Sequence, residues 1–181
     1  MDLAIISDTH IPGQADAIPG SFLEYTRNAD HVIHCGDFGS IEAYETVSQE
    51  STGLTAVYGN ADPIDIDLSA IASVTIGEVT FVVTHGIVNA VERAIGSSEG
   101  VVFDREDWLD AIATTARSRI HGDGHVVGVG GHTHRVEDLE HDGIRLLNPG
   151  SATGAGPAEG RTTMMTVAVQ HGELDVNVHN R

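Results

Sequence analysis

The chain has 181 residues and 40% hydrophobic content, enough for a substantial core in one globular domain spanning 1–181. Its 27 acidic residues outnumber nine basic ones, all of them arginine. The formal net charge of −18 excludes nucleic acid and acidic membranes as default partners. The single Cys35 excludes an internal disulfide. With no signal-peptide pattern and no apolar run of about 18 residues, the expected location is the cytoplasm. Strong acidity strains a compact state by self-repulsion, which concentrated salt relieves, and an acidic, lysine-free composition is like that of proteins from salt-loving cells. An ordinary acidic cytosolic protein fits the composition as well.

Leu3-Ala4-Ile5-Ile6 is an all-apolar run that reads as a buried strand leading to Asp8-Thr9-His10. A helix over 21–28 precedes a second strand, His31 to Cys35, ended by Gly36-Asp37. Ser40 caps a helix whose inner face carries Ile41, Tyr44 and Val47. Leu54 to Tyr58 is a third strand, ended by Gly59-Asn60. The first third therefore reads βαβαβ, the signature of a parallel sheet with buried strands. The texture then changes. Ser73 to Ile76 and Val79 to Val83 flank Gly77-Glu78 as a hairpin that runs into Thr84-His85-Gly86. Ile87, Val91, Ala94 and Ile95 mark a helix stopping at Gly96. Asp104 starts another, with Trp108, Leu109, Ile112, Ala113 and Ala116 as its apolar stripe. Val126 to Val129 is a strand entering Gly130-Gly131-His132-Thr133-His134. Hairpins around Asp142-Gly143 and His171-Gly172 complete an antiparallel-rich second half. Two sheets facing each other, with helices outside, would bury both halves in one core. The stretch 149–160, rich in glycine, alanine and serine, reads as a mobile or substrate-facing loop.

The chemistry sits at the strand ends. In an extended segment, side chains two apart point the same way, so Asp8 and His10 reach one point, as do His132 and His134. Oxygen and imidazole donors without a thiolate suit borderline-to-hard divalent ions. Asp8 and Asp37 bring two negative charges, while neutral imidazoles of His10, His85, His132 and His134 and the Asn60 amide bring none. Two divalent ions would leave such a site positive within an acidic chain, an attractor for phosphate. Two ions about 3.5–4 Å apart clamp the attacking and leaving oxygens of an in-line displacement, and no protein nucleophile is needed.

In order, Asp8-x-His10, Gly36-Asp37, Gly59-Asn60, His85-Gly86 and Gly131-His132-Thr133-His134 resemble the motifs of the calcineurin-like metallophosphoesterases. Asn60-Ala61-Asp62 and Asn148-Pro149-Gly150-Ser151 are similar to those of its small prokaryotic phosphodiesterase branch, which also includes a eukaryotic retromer subunit that works as a scaffold. The resemblance runs from Leu3 to about Leu174. It implies an α/β (α+β) fold: a four-layer α-β-β-α sandwich of two mixed β-sheets flanked by helices. It also implies that Asp8, His10 and His134 hold a first metal, that Asp37 bridges, and that Asn60, His85 and His132 hold a second. Catalysis would run through Asp37, Asn60 and His85 by in-line attack of a metal-bound hydroxide on a small phosphodiester or phosphomonoester. The implied cofactors are two divalent ions, Mn2+ first, with Ni2+, Fe2+ or Zn2+ as alternatives. A homodimer or higher oligomer is compatible with this reading. The alternative on the same fold is a non-catalytic scaffold or protein-binding module, which predicts an eroded ligand set; all seven positions are filled here.

Two departures stand out. Many superfamily members carry a general-acid His directly after the motif Asn, and the branch usually has Cys; here the position is Ala61. The stretch between Gly86 and Gly131 is also longer than in compact branch members, with a helical insertion around 97–124 that would cap the site, mediate dimerisation or extend the core. His34 reads either as a buried histidine bonded to backbone or as a residue supporting the ligands. His31, His121, His125, His141, His171 and His179 read as surface or loop residues. Asp62 reads as a turn residue before Pro63, or as one that orients a ligand or contacts substrate. Arg135 reads as a surface charge or a phosphate contact.

Overall fold

Side-chain alternation along the strands sets the layers. The structure is a computed structural model, which describes residues 1–86, 104–119 and 124–181. One sheet is built from β1 (Asp2–Ile6), β2 (His31–His34), β3 (Leu54–Ala56), β9 (Thr163–Gln170) and β10 (Glu173–Asn180), in the order β10-β9-β1-β2-β3. Within it β1, β2 and β3 are parallel, while β9 and β10 run antiparallel. The second sheet holds β4 (Ile71–Ile76), β5 (Val79–Thr84), β6 (His125–Val129), β7 (Val136–His141) and β8 (Ile144–Pro149), in the order β4-β5-β6-β8-β7. Its three central strands are parallel and its two edges antiparallel.

Leu3, Ile5, Ile33, Met165 and Val167 turn inward and meet Phe81, Val83, Val127, Val129 and Leu147 of the facing sheet. The intervening residues Ala4, Ile6, Val32 and Met164 turn outward, where they bury Phe22 of α1 (Gly20–Asn28) and Ala43 and Val47 of α2 (Ile41–Gln49). On the far side, Val82, Val126 and Leu146 pack against Trp108, Leu109, Ile112, Ala113 and Ala116 of α3 (Arg105–Arg117). The result is helices, sheet, sheet, helix. Ser40 and Asp104 cap α2 and α3, accepting the Ala43 and Asp107 N–H groups. At Gly128 on β6, a Cβ would fall 2.8 Å from Ile112 Cγ2, so glycine is what lets α3 lie this close to the sheet.

The four-layer expectation holds, with local differences. The third strand ends at Ala56 rather than Tyr58. Val57 instead makes an isolated bridge to Ser69, and Tyr58 N–H donates to Ser69 O, so the chain peels off the first sheet towards the second. Within the segment 97–124, α3 packs on the second sheet and forms the fourth layer of the core. The helix expected from Ile87 to Ile95 lies outside the described residues, as does His121. The stretch 149–160 is tied down rather than loose. Ala152 N–H donates to Ser7 O, Ser151 Oγ–H to Asp8 O and Thr163 N–H to Ser151 O. Among the described residues no helix is long and apolar enough to cross a membrane.

Arg105 pairs with Glu137, Arg145 with Asp138, and Arg27 with Glu50, all at the surface. Such exposed pairs contribute little, and they leave most of the 27 acidic groups uncompensated. Repulsion should therefore dominate the salt response. Raising NaCl from 0.1 to 1 M shortens the Debye length from about 10 to about 3 Å. The expected outcome in a melting experiment is a higher Tm, by roughly 2–4 °C for each kcal/mol of repulsion removed. A falling Tm would mean that the ion pairs outweigh the repulsion.

Candidate metal centre

The loops that follow β1, β2, β3, β5 and β6 converge beyond the carboxyl ends of the parallel strands, the usual place for a ligand in such sheets. They bring together all seven residues singled out from the sequence. The route differs from simple strand alternation. β1 stops at Ile6, and Asp8 and His10 each adopt left-handed backbone, φ 53° and 49°. Asp37, His132 and His134 do the same, at 57°, 71° and 55°. It is these alternating left-handed residues, rather than a continued extended chain, that point Asp8 with His10 and His132 with His134 at common spots. Each such non-glycine residue costs on the order of 1–3 kcal/mol, a strain that concentrates at functional sites. Backbone bonds between the loops hold it: Asp8 N–H to Gly36 O and His10 N–H to Asp37 O, both 3.0 Å.

Two donor groups result. In the first, His134 Nε2 lies 3.1 Å from Asp8 Oδ1 and 3.2 Å from His10 Nε2. In the second, Asn60 Oδ1 lies 3.2 Å from His85 Nε2 and 3.0 Å from His132 Nδ1. Asp37 Oδ2 stands between them, 3.4 Å from His10 Nε2 and 3.3 Å from His85 Nε2. Donors about 2.1 Å from one ion stand roughly 3.0–3.4 Å from each other in octahedral or tetrahedral geometry. The measured spacings, the nitrogen–oxygen donor set and the deep burial of Asp8, Asp37, Asn60 and His85 fit a divalent-ion centre.

The donors are aimed by what lies behind them. His85 Nδ1–H donates to Cys35 O at 2.8 Å and His134 Nδ1–H to Ala155 O at 2.6 Å, which turns each Nε2 towards the carboxylates. Asp8 Oδ2 accepts Ser7 Oγ–H, and His132 N–H is shared between Oδ2 at 3.1 Å and Oδ1 at 3.2 Å, with Oδ1 beside His134. Asp37 Oδ1 accepts Ala61 N–H at 2.7 Å, leaving Oδ2 for the histidines. His34 resolves as both readings at once. It stacks on Phe38, its Nδ1 accepts Gly36 N–H, and Nε2 approaches Thr9 Oγ1, directly beneath the Asp8 and Asp37 loops. Burial holds it neutral, its pKa lowered to about 3.

Sequence reasoning underrated two residues. Asp62 is buried, and its carboxylate accepts three backbone N–H groups, from Asp37, Gly39 and Gly59. Desolvation, then the neighbouring Asp37, raise its pKa to about 6. Asn148 donates through Nδ2 to Gly131 O and Thr133 Oγ1 and accepts Gly150 N–H, so it fixes the loop that carries His132 and His134. The motif pattern marked both positions but not these bonds, which join residues far apart in sequence. Of the remaining histidines, His31, His125, His141 and His179 lie on strands, His171 lies in a turn, and Arg135 is exposed.

Burial would lower the His85 pKa, but Asp37, Asp8 and the bond to Cys35 outweigh it and raise it to about 10. His134 is raised too, because Asp8 overcomes its desolvation. Burial would raise the Asp8 carboxyl, yet His134, His85 and His10 hold it below the usual range. In the metal-free chain at pH 7, then, His85 carries a proton that a ligating imidazole must lose. This proton stabilises the metal-free fold fully below the unfolded histidine value near 6.5, and the contribution is lost as pH rises through about 10. Metal uptake runs the other way, so apparent affinity should climb with pH across that window. Calorimetric Mn2+ titrations at pH 7 in buffers of different ionisation enthalpy should report net proton release; uptake without release would contradict the ion-paired His85.

The model of the calcineurin-like phosphoesterase superfamily domain matches residues 1–172. A probable metallophosphoesterase of Methanocaldococcus jannaschii is 31% identical over 157 residues, covering 84% of this chain and 69% of its own. A phosphodiesterase of the same organism is 29% identical over 170 residues, covering 85% and 86%. Among solved structures, Vps29 of Entamoeba histolytica in complex with zinc overlays with a TM-score of 0.69 at 23% identity, covering 99% of both chains. With the motif residues gathered in one place and the family match spanning nearly its whole length, this chain belongs to the calcineurin-like phosphoesterase superfamily.

Proposed function

We propose that the protein is a metal-dependent phosphoesterase that hydrolyses a small phosphodiester or phosphomonoester in the cytoplasm. Asp8, His10 and His134 would hold one divalent ion, Asn60, His85 and His132 a second, and Asp37 would serve both. The observation that carries this reading is the position of Asp37 Oδ2, within 3.4 Å of a nitrogen from each donor group. Two bound ions would supply Lewis acidity and an ionised water at neutral pH.

The chain's own contribution is orientation and selection. Cys35 O and Ala155 O hold the imidazoles of His85 and His134, and Ser7 and Ala61 each occupy one oxygen of Asp8 and Asp37. Ala61 brings no titratable side chain to the leaving group. General acid catalysis is typically worth about 10²–10⁴-fold, so substrates with good leaving groups are favoured. The net charge of −18 opposes long polyanions and favours small esters. Oxygen and imidazole donors together suit Mn2+, with Ni2+, Fe2+ and Zn2+ as alternatives; a zinc complex of the Vps29 relative supports the last. The test is hydrolysis of bis(4-nitrophenyl) phosphate by metal-stripped protein reloaded with each ion. Turnover that depends on added metal is expected, and none with any of the four ions would reject the proposal. Protein that also retains no ion would point to the scaffold alternative.

A further inference from the structure

The loops after β2 and β3 approach backbone to backbone, with the Asp37 carboxylate lying directly on Gly59. A Cβ on Gly59 would fall 2.1 Å from Asp37 Oδ1, and one on Gly36 would fall 2.7 Å from Gly59 N. Something must hold two such strips of backbone together, because bare loops in contact gain little from packing. One side chain reaches both. Asp62 Oδ2 accepts Asp37 N–H at 3.0 Å and Gly59 N–H at 2.7 Å, while Oδ1 accepts Gly39 N–H at 3.0 Å. Asp37 and Gly39 both have positive φ, which turns their amides out of any ladder and towards the one carboxylate. The arrangement is reciprocal: Asp62 takes the amide of Asp37, and Asp37 Oδ1 takes the amide of Ala61 at 2.7 Å.

We propose that Asp62 is a positioning residue that locks the Asp37 loop to the Asn60 loop, and so sets the spacing between the shared carboxylate and the donors of the second ion. This rests on reading the site as a two-ion centre. Asp62 does not ligate in this proposal; its oxygens are committed to three N–H groups. By closing the reciprocal pair it fixes the rotation of Asp37, with Oδ1 on Ala61 and Oδ2 towards His10 and His85. The first donor group, Asp8, His10 and His134, touches the clamped loop only through the Gly36 and Asp37 carbonyls and has further supports of its own in Ser7 and Ala155. Loss of the clamp should thus fall unequally on the two ions.

Asp62→Asn keeps the shape of the side chain but offers one acceptor oxygen to three donors and turns an NH2 group against one of them. Stepwise Mn2+ titration of the metal-stripped protein should show one ion bound about as in the wild type and the other weaker by roughly 10–100-fold. In metal-free wild type, the Asp37, Gly39 and Gly59 amides should be protected from hydrogen exchange. In the variant all three should exchange faster, while central β1 and β6 amides keep their protection. Two ions bound at wild-type strength by Asp62→Asn would overturn the proposal, as would free exchange of the three amides in wild type, which needs no folded variant. Equal weakening of both ions together with faster exchange throughout the sheets would also overturn it, since that is general loosening. If wild type binds no Mn2+ at all, the two-ion reading has failed instead.

Discussion

Asp37→Ala should lower turnover of bis(4-nitrophenyl) phosphate by about 10³-fold or more, because a charge interaction worth several kcal/mol is withdrawn from the reacting centre and about 1.4 kcal/mol is a factor of ten. The geometry makes Asp37 the residue with the widest reach. Its Oδ2 faces His10 and His85, its Oδ1 takes Ala61 N–H, its own N–H goes to Asp62, and its carbonyl accepts His10 N–H. Alanine removes the two carboxylate functions and keeps the two backbone ones, so the loop can survive while the centre fails. Metal analysis after gel filtration should show both ions weakened, in contrast to Asp62→Asn. A second readout needs no metal. Asp37 is the largest of the influences that raise His85 against its burial, so in the variant the His85 titration should move down from about 10. Leaving a buried charge without its partner costs about 3–5 kcal/mol, but an imidazole escapes that penalty by losing its proton. The metal-free variant should therefore fold at pH 7 and above and lose stability on acidification. Near-wild-type turnover with two ions retained would remove Asp37 from the centre altogether.

How much of this was legible in the residues varies with the range of the interaction. Strand-end donors were readable because each follows an apolar run: Ile6 before Asp8, Cys35 before Asp37, Val83 before His85. The layers were readable for the same reason, since Leu3 and Ile5 alternate with Ala4 and Ile6. The convergence of Asp8 with His10 was anticipated for the wrong cause. Period-two geometry describes strands, and the backbone there has already left the sheet for the left-handed region. Local propensity disfavours such a conformation for these side chains, and only bonds from distant loops impose it. The same limit hid the role of Asp62. Before a proline it looks like a turn residue, and its three acceptor contacts exist only once the Asp37 loop has folded onto it. Stretch 149–160 does face the site, with Ala155 O on His134 Nδ1–H, but is tied down rather than mobile. Its small residues allow close packing against Asp8 and Thr9, where composition alone suggests freedom.

Trp108 joins the outer helix layer to the metal loop, and its replacement should be the costliest single change to stability. It is 1% exposed and lies among Val82, Ile112 and Leu146, while Nε1–H donates to Gly131 O at 2.9 Å. Trp108→Ala should cost about 3–5 kcal/mol, since a cavity replaces the largest side chain of that layer. For a chain of this length that is a Tm lower by roughly 6–20 °C. Trp108→Phe should cost much less than the hydrogen bond suggests, because Gly131 O keeps two other donors, Asn148 Nδ2 at 3.1 Å and Thr133 N–H at 2.8 Å. Thr133 N–H stays on that carbonyl when both side-chain donors are gone, so their removal should add. With Asn148→Ala in the same chain, Gly131 O still accepts Thr133 N–H at 2.8 Å, and the double variant should lose about the sum of the single losses, within roughly 0.5 kcal/mol. Gly131 N–H also bonds His85 O and is followed by His132, so the double variant should bind Mn2+ more weakly than either single one. Melting curves and Mn2+ titrations on the four proteins decide it. A loss about 1–3 kcal/mol beyond the sum would mean that Thr133 N–H does not satisfy the carbonyl of Gly131 once the indole and the amide are gone.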